Sequence, residues 1–384
     1  MSLADAFEET SAPSDAAEGR KILERLAAEL ERRGITADEI GRLSRVSMWQ
    51  GLTKNDDGDA EIHDLYGFKL EPSWVDGPEW PVVQPAPPVK VTGTRKPTSG
   101  TNETTVVILP DMQIGFYRHP DGDLEPTHDP AAIDAAISLV KLLRPGRVVL
   151  LGDNLDLPEM SRFRLTPAFA QTTQAAINEA ATIMARLRDA AGDDTEIDWL
   201  AGNHEERLQH WLTDNARAAF GLRRGGTPEG WPVLSVPHLC RLDDVGVTYV
   251  PGYPASHIWL TDNLKIVHGD RVKSRGSTAH KYLDESKVSV IYGHIHRIEQ
   301  AHRTRDDIDG PAEIMAASPG CLARTDGAVP STRQGLDLDG RPLTRAEDWQ
   351  QGCGVVTLHD DSWAYEVARI SSGVAYFRGK AYRP

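Results

Sequence analysis

A layered α/β fold, with two sheets packed face to face and helices outside, is what this 384-residue sequence predicts. Two features carry that expectation. From residue 104 onward apolar strand-like runs alternate with helical segments, and the later part of the chain is rich in strands. A third feature marks where the chemistry lies: five of the strands stop on Asp, Asn or His.

The elements are read in chain order. Residues 1–16 are small, acidic and aperiodic, as expected of a disordered tail. Residues 17–70 form a small α+β appendage. Its first helix carries Ile22, Leu23, Leu26 and Leu30 at helical spacing and stops at Gly34. A second short helix is expected over Thr36 to Leu43, so the pair faintly resembles a helix-turn-helix; two strand-like runs around NDDGDA then predict a hairpin. Residues 71–103 hold seven prolines with Ser, Thr and Gly and read as a linker. The remaining domain, residues 104–384, contains the predicted strands TVVILPD, GRVVLLGD, TEIDWLAGN, GVTYVPG, NLKIVHGD, VSVIYGH, AEIMAASPG, CGVVTLH and SWAYEVARI. Helices are expected over DPAAIDAAISLVKLLRP, from about Thr166 to Asp189, over EERLQHWLTDNARAAF and near Ser277 to Glu285.

Composition narrows the function. No window approaches the roughly 18 consecutive apolar residues of a membrane span, and the start MSLADAFEE is acidic where a secretory signal is basic and then apolar. A soluble, cytoplasmic protein with no membrane partner is therefore expected. Cys240, Cys321 and Cys353 are widely spaced and odd in number, which predicts buried thiols rather than disulfides or a zinc knuckle. With 42 Lys plus Arg against 57 Asp plus Glu, the formal charge of −15 disfavours non-specific coating of duplex DNA.

The strand ends carry Asp111 and Gln113 in DMQ, Asp153 in GDNLD, Asn203 and His204 in GNHE, His268 in HGD, and His294 and His296 in GHIH. Singly, each is an ordinary turn or corner. Loops beyond the carboxyl ends of strands in α/β proteins meet in one crevice, so the set together predicts a metal site.

These five motifs resemble the calcineurin-like metallophosphoesterase superfamily, whose pattern runs D-x-H, GDxx[DN], GNH[DE], H and GHxH; the resemblance spans about residues 104 to 323. It implies a four-layer α/β/β/α sandwich and two divalent metal ions. The first would be held by Asp111, Gln113, Asp153 and His296, and the second by Asp153, Asn203, His268 and His294. Asp153 would bridge the pair, so that a bridging water loses its proton near neutral pH and attacks phosphorus. His204 is the expected general acid or charge stabiliser, with Asp156 or Glu205 holding it or the ligands in place.

Gln113 stands where the family pattern has His. Its neutral, hard oxygen suits Mn²⁺ or Mg²⁺ better than Zn²⁺, so manganese is expected, with Mg²⁺, Fe²⁺ or Zn²⁺ as alternatives. Direct ligation and a hydrogen bond to a metal-bound water both remain open for it.

For substrate contacts, Arg162, Arg207 and Arg297 are the favoured clamps among a group that also includes Arg164, Arg271 and Lys273. A Gly/Pro/Asp-rich run up to about Asp348 is long enough for a lid or a plain surface loop. The chain is also similar to phosphoesterases of phages and prophages, which would place it in a bacterial cytoplasm. The expected activity is hydrolysis of nucleotide or short nucleic-acid phosphodiesters, 2′,3′-cyclic nucleotides among them. A DNA exonuclease or endonuclease working with a partner is the alternative, and an inactive protein-binding module on the same fold is the third. A protein partner or a homo-oligomer stays open.

Overall fold

The computed structural model describes residues 24–28, 30–32, 34, 40–54, 60–72 and 103–384, the last span apart from 164–165, 227–229, 275, 309, 331–334, 337–341, 344 and 361. The expected tail 1–16 and most of the expected linker fall outside the described residues, as does much of the run before Asp348. The chain divides into two compact units, Met1–Pro85 and Ala86–Pro384.

In the first unit residues 24–28 and 30–32 are helical, with Leu26, Ala27 and Leu30 buried at the predicted spacing. Strand β1 (Ile40–Lys54) then pairs antiparallel with β2 (Ala60–Pro72). This corrects the helix expected over Thr36 to Leu43, because Ile40 to Leu43 already belong to β1 and Leu43 sits opposite Leu70. Cross-strand pairing overrides a short helical period, and the suggestion of a helix-turn-helix loses its second helix. The expected hairpin is present, its turn residues 55–59 lying outside the described residues.

The second unit opens with β3 (Glu103–Leu109), the small pair β4 (Phe116–Arg118) and β5 (Leu124–Pro126), and helix α1 (Pro130–Leu143). It continues through β6 (Arg147–Leu150), α2 (Thr173–Ala191), β7 (Glu196–Leu200), α3 (Asn203–Asn215), α4 (Val236–Leu239) and β8 (Val247–Val250). Next come β9 (Ile258–Thr261), β10 (Leu264–Val267), α5 (Thr278–Glu285), β11 (Ser289–Tyr292), β12 (Ile298–Asp307) and β13 (Gly310–Pro319). The two-residue strands β14 (Gly335–Leu336) and β15 (Pro342–Leu343) precede β16 (Gly352–His359), β17 (Ser362–Ser371), β18 (Val374–Phe377) and β19 (Lys380–Tyr382).

An eight-stranded sheet has the order β19-β18-β17-β16-β3-β6-β7-β8, and a five-stranded sheet the order β12-β13-β11-β10-β9. Strands β3, β6, β7 and β8 are parallel, joined by helical crossovers, whereas β16 to β19 form an antiparallel meander on β3. The fold is thus mixed α/β. Helix α1 starts where Asp129 accepts the Ala132 amide and Pro130 pre-sets the first turn; it stops at Arg144 in the left-handed conformation. Helix α2 starts at Thr173 rather than near Thr166, since residues Pro167–Phe169 make a separate 3₁₀ turn and the Glu159 carboxylate caps the amides of Gln171, Thr172 and Thr173. The third predicted helix likewise begins at Asn203 and ends at Asn215, with Arg217–Ala219 as a 3₁₀ turn.

Alternation along β3 divides the core. Val106 and Ile108 join Val149, Leu151 and Leu200 in one cluster with Ile258, Leu264, Ile266, Ile291 and Met315 of the other sheet. Val107 and Leu109 point the opposite way, to Ile133, Leu139 and Val140 of α1 and Ile183 and Met184 of α2. Ala279 and Leu283 of α5 cover Val290, Tyr292, Ile314 and Ala316. Each such buried Leu or Ile contributes about 1.5–3 kcal/mol, which fixes the strand ends against one another.

Candidate metal centre

The carboxyl ends of β3, β6 and β7 in one sheet and of β10 and β11 in the other deliver every ligand-type residue singled out in the sequence. Their loops are laced together by backbone bonds: Gln113 N donates to Asp153 O (2.9 Å), and Ile114 N to Asn154 O (2.7 Å). Five of these residues adopt left-handed backbone: Asp111 (φ 39°), Gln113 (52°), Asp153 (50°), His294 (69°) and His296 (57°). Each such non-glycine conformation costs on the order of 1–3 kcal/mol, so their concentration at one place marks a site held in strain by its surroundings. Two glycines let the carboxylates come close. A Cβ on Gly202 would lie 2.5 Å from Asp153 N, and one on Gly293 would lie 2.7 Å from Asp111 Oδ2.

Two groups of donors can hold a metal ion: Asp153, His268 and His294, and Asp111, Asp153 and His296; in each group the donor atoms lie within 4.8 Å of one another. Asp153 belongs to both. His268 Nε2 is 3.3 Å from Asp153 Oδ2, and His296 Nε2 is 3.2 Å from Asp111 Oδ1. The amides join as second members, Asn203 Oδ1 at 3.2 Å from His268 Nε2 and Gln113 Nε2 at 3.4 Å from both Asp153 Oδ2 and His296 Nε2. Gln113 Oε1 is buried without a partner, and a half-turn of the amide exchanges it with Nε2 at the same place, giving an oxygen donor inside the group. His268 Nδ1 lies 2.8 Å from the Leu151 carbonyl, which holds a proton on Nδ1 and leaves Nε2 as the nitrogen that would ligate once its own proton is released.

The electrostatics favour cations. Burial by itself would raise the Asp153 carboxyl, yet His204, His268 and His294 around it hold it well below the usual carboxylate range. Burial lowers His268 while Asp153 and Asp111 pull it up to about 10. Burial and the neighbouring His268 push His294 down to about 4.

His204 stands beside this cluster rather than in it. Its Nδ1 is 2.9 Å from Asp156 Oδ1, its Nε2 is 2.8 Å from Arg207 Nη2, and its backbone amide donates to Asp153 Oδ1 at 2.8 Å. Arg207 Nη1 also donates to the Asp156 carbonyl. Glu205 binds backbone: its carboxylate accepts the amides of Asp153, Asn154, Leu155 and Gly202 at 2.8–3.2 Å. Burial and the Asp153 charge raise its pKa, against the Gly202 and Leu155 amides and the His268 charge, which lower it.

The candidate clamps separate. Arg207 is pinned at the site, Arg162 stacks over the exposed Phe163 ring at 5.3 Å, and Arg297 is engaged by Glu299 (3.0 Å) and the Lys273 carbonyl. Arg271 pairs with Asp270 and Glu285, and Arg164 lies outside the described residues. Two aromatics at the site escaped the sequence. Tyr253, beyond β8, sets its ring against His268 (centroids 5.7 Å apart), and Trp349 sets its ring against His296 (4.1 Å). Only the position of PGYP just after the strand VTYV hinted at the first; nothing local marked the second.

No family model matches this chain. Over 201 residues it is 27% identical to "Gene 54 protein" of Mycobacterium phage D29, an alignment covering 50% of this chain and 69% of that protein.

Proposed function

We propose that this chain is a metal-dependent phosphodiesterase acting on nucleotide or short nucleic-acid diesters. The observation that carries this is Asp153: one buried carboxylate shared by two donor groups at the tips of strands from two sheets. Asp111, Gln113, Asp153 and His296 would hold one divalent cation, and Asp153, Asn203, His268 and His294 the other. The orphaned Gln113 Oε1 and the His268 ring, whose Nδ1 is tied to the Leu151 carbonyl so that Nε2 faces the group, fit that assignment. Such ions, when bound, acidify a water molecule and neutralise charge on phosphoryl oxygens.

The chain's own groups do the rest. His204 stands between the Asp156 carboxylate, 2.9 Å from Nδ1, and the Arg207 guanidinium, which donates to Nε2 at 2.8 Å, so Arg207 supplies a positive pole beside the imidazole for charge developing on the leaving oxygen. The Tyr253 ring against His268 and the Trp349 ring against His296 cover part of the two donor groups. The hard oxygen of Gln113 favours Mn²⁺ over Zn²⁺. The split of the core into an inter-sheet cluster and two helix-covered faces supports the four-layer α/β/β/α sandwich of the calcineurin-like metallophosphoesterases, and the phage relative is in keeping with a phage or prophage origin.

The test is hydrolysis of a chromogenic phosphodiester, cyclic nucleotides and labelled DNA by the purified chain with Mn²⁺, beside Asp153→Ala. Turnover that needs metal and disappears in the variant supports the proposal. No hydrolysis of any substrate would leave the fold as a binding module.

A further inference from the structure

Helix α3 begins at the metal centre with Asn203 and runs away from it for 13 residues. At about 1.5 Å per residue, that is a track of roughly 18 Å. Arg207 lies one turn along it and Trp211 two turns along, on the same stripe, because residues four apart share a helix face. Trp211 is 40% exposed. The turn Pro158–Met160 packs against this helix and leads directly to Arg162 stacked on Phe163, a ring 70% exposed. Beyond the far end of α3, the turn Arg217–Ala219 leads to Phe220, 51% exposed.

Many guanidinium groups elsewhere are paired with acid. Arg147, Arg186, Arg241, Arg271, Arg303 and Arg378 each face a carboxylate. Among the described residues Arg162, Arg217 and Arg223 have no carboxylate partner; Arg217 donates to the Thr213 carbonyl and Arg162 covers Phe163. Arg118, Arg188 and Arg305 also bond only carbonyls, but here, in a chain of net charge −15, guanidinium groups without a facing carboxylate stand among exposed rings. Rings offer stacking faces to bases, and guanidinium groups offer forks to phosphates.

We propose that this face, from Arg162 and Phe163 along α3 to Trp211, Phe220 and Arg223, is a track for single-stranded nucleic acid leading to the metal centre. It rests on the phosphodiesterase reading for its purpose, though the binding itself does not. Phosphates of a stacked strand advance about 3.4 Å each, so α3 alone accommodates about five nucleotides.

The experiment measures anisotropy of end-labelled oligothymidylates and oligouridylates, two to ten nucleotides long, with the full chain in EDTA so that no metal-dependent cleavage occurs. Affinity should rise with length through at least about five nucleotides before it levels off. Trp211→Ala and Phe163→Ala should each weaken binding about fivefold to tenfold, with Trp211→Phe restoring most of it. Arg223→Glu should lower the salt slope by about 0.7 or more. The same variants should leave turnover of a small chromogenic diester with Mn²⁺ unchanged. Affinity independent of length, or unaltered in all three variants, overturns the proposal; so does a concentration-dependent self-association that the variants abolish. Length-dependent binding that the variants weaken, in a chain that hydrolyses nothing, would keep the track and discard the phosphodiesterase.

Discussion

Glu205 and Asp153 clasp each other through backbone: Glu205 Oε2 accepts the Asp153 amide at 2.9 Å, while Asp153 Oδ1 accepts the amide of His204, the residue before Glu205, at 2.8 Å. The start of α3 and the tip of β6 are thereby locked together, and the left-handed Asp153 is held in place. Removing the clasp leaves four buried amides without an acceptor. Each costs about 1–3 kcal/mol, so Glu205→Ala should lose about 3 kcal/mol or more of stability. Urea unfolding at equilibrium checks this, and a loss below about 1 kcal/mol would show that water replaces the carboxylate.

Gly202→Ala attacks the same clasp from the other side. A methyl group there meets the Asp153 backbone, which cannot yield without moving the carboxylate. Metal content and diester turnover should both collapse while the circular dichroism spectrum stays close to that of the parent.

Metal should stabilise the fold through Asp153. At a hundredfold excess over Kd, a bound ion adds about 2.7 kcal/mol, seen as a higher melting temperature with Mn²⁺ than in EDTA. Asp153→Ala should abolish the difference, since the carboxylate belongs to both donor groups. A retained metal-dependent shift would remove Asp153 from the site.

Replacing Gln113 by His exchanges a hard neutral oxygen for a borderline nitrogen. In Gln113→His the turnover ratio of Zn²⁺ to Mn²⁺ should rise by about tenfold, with metal affinity for Zn²⁺ rising in parallel. An unchanged ratio would mean that Gln113 touches a metal-bound water and not the ion.

Metal uptake should depend on pH with a definite sign. In the metal-free chain Asp153 and Asp111 raise His268 to about 10 against the effect of burial, so the ring carries a proton at neutral pH. Ligation by Nε2 must release it. Affinity should therefore increase with pH through the neutral range, about tenfold per unit, and approach a plateau near pH 10. A flat titration between pH 7 and 8.5 would take His268 out of the ligand set.

Much of the site was legible because its chemistry is tied to strand ends. An apolar run broken by Asp, Asn or His is a local signal, and DMQ, GDNLD, GNHE, HGD and GHIH each show it. The boundaries of α2 and the strand at Ile40 were not legible, since Glu159 caps a helix from twelve to fourteen residues away and Leu43 pairs with Leu70. Long-range partners override local periodicity in both places.

The sequence by itself determined which residues have metal-binding chemistry, because ligand type is a property of the side chain and strand ends are readable from a period of two. Only the tertiary structure decided that Asp153 serves two donor groups, that Glu205 acts through the backbone amides of Asp153 and its neighbours and not on a side chain, and that Arg207, Tyr253 and Trp349 line the same site. The meeting of the two donor groups depends on distances between residues 40 to 183 positions apart, which are set by how two sheets pack on one shared core.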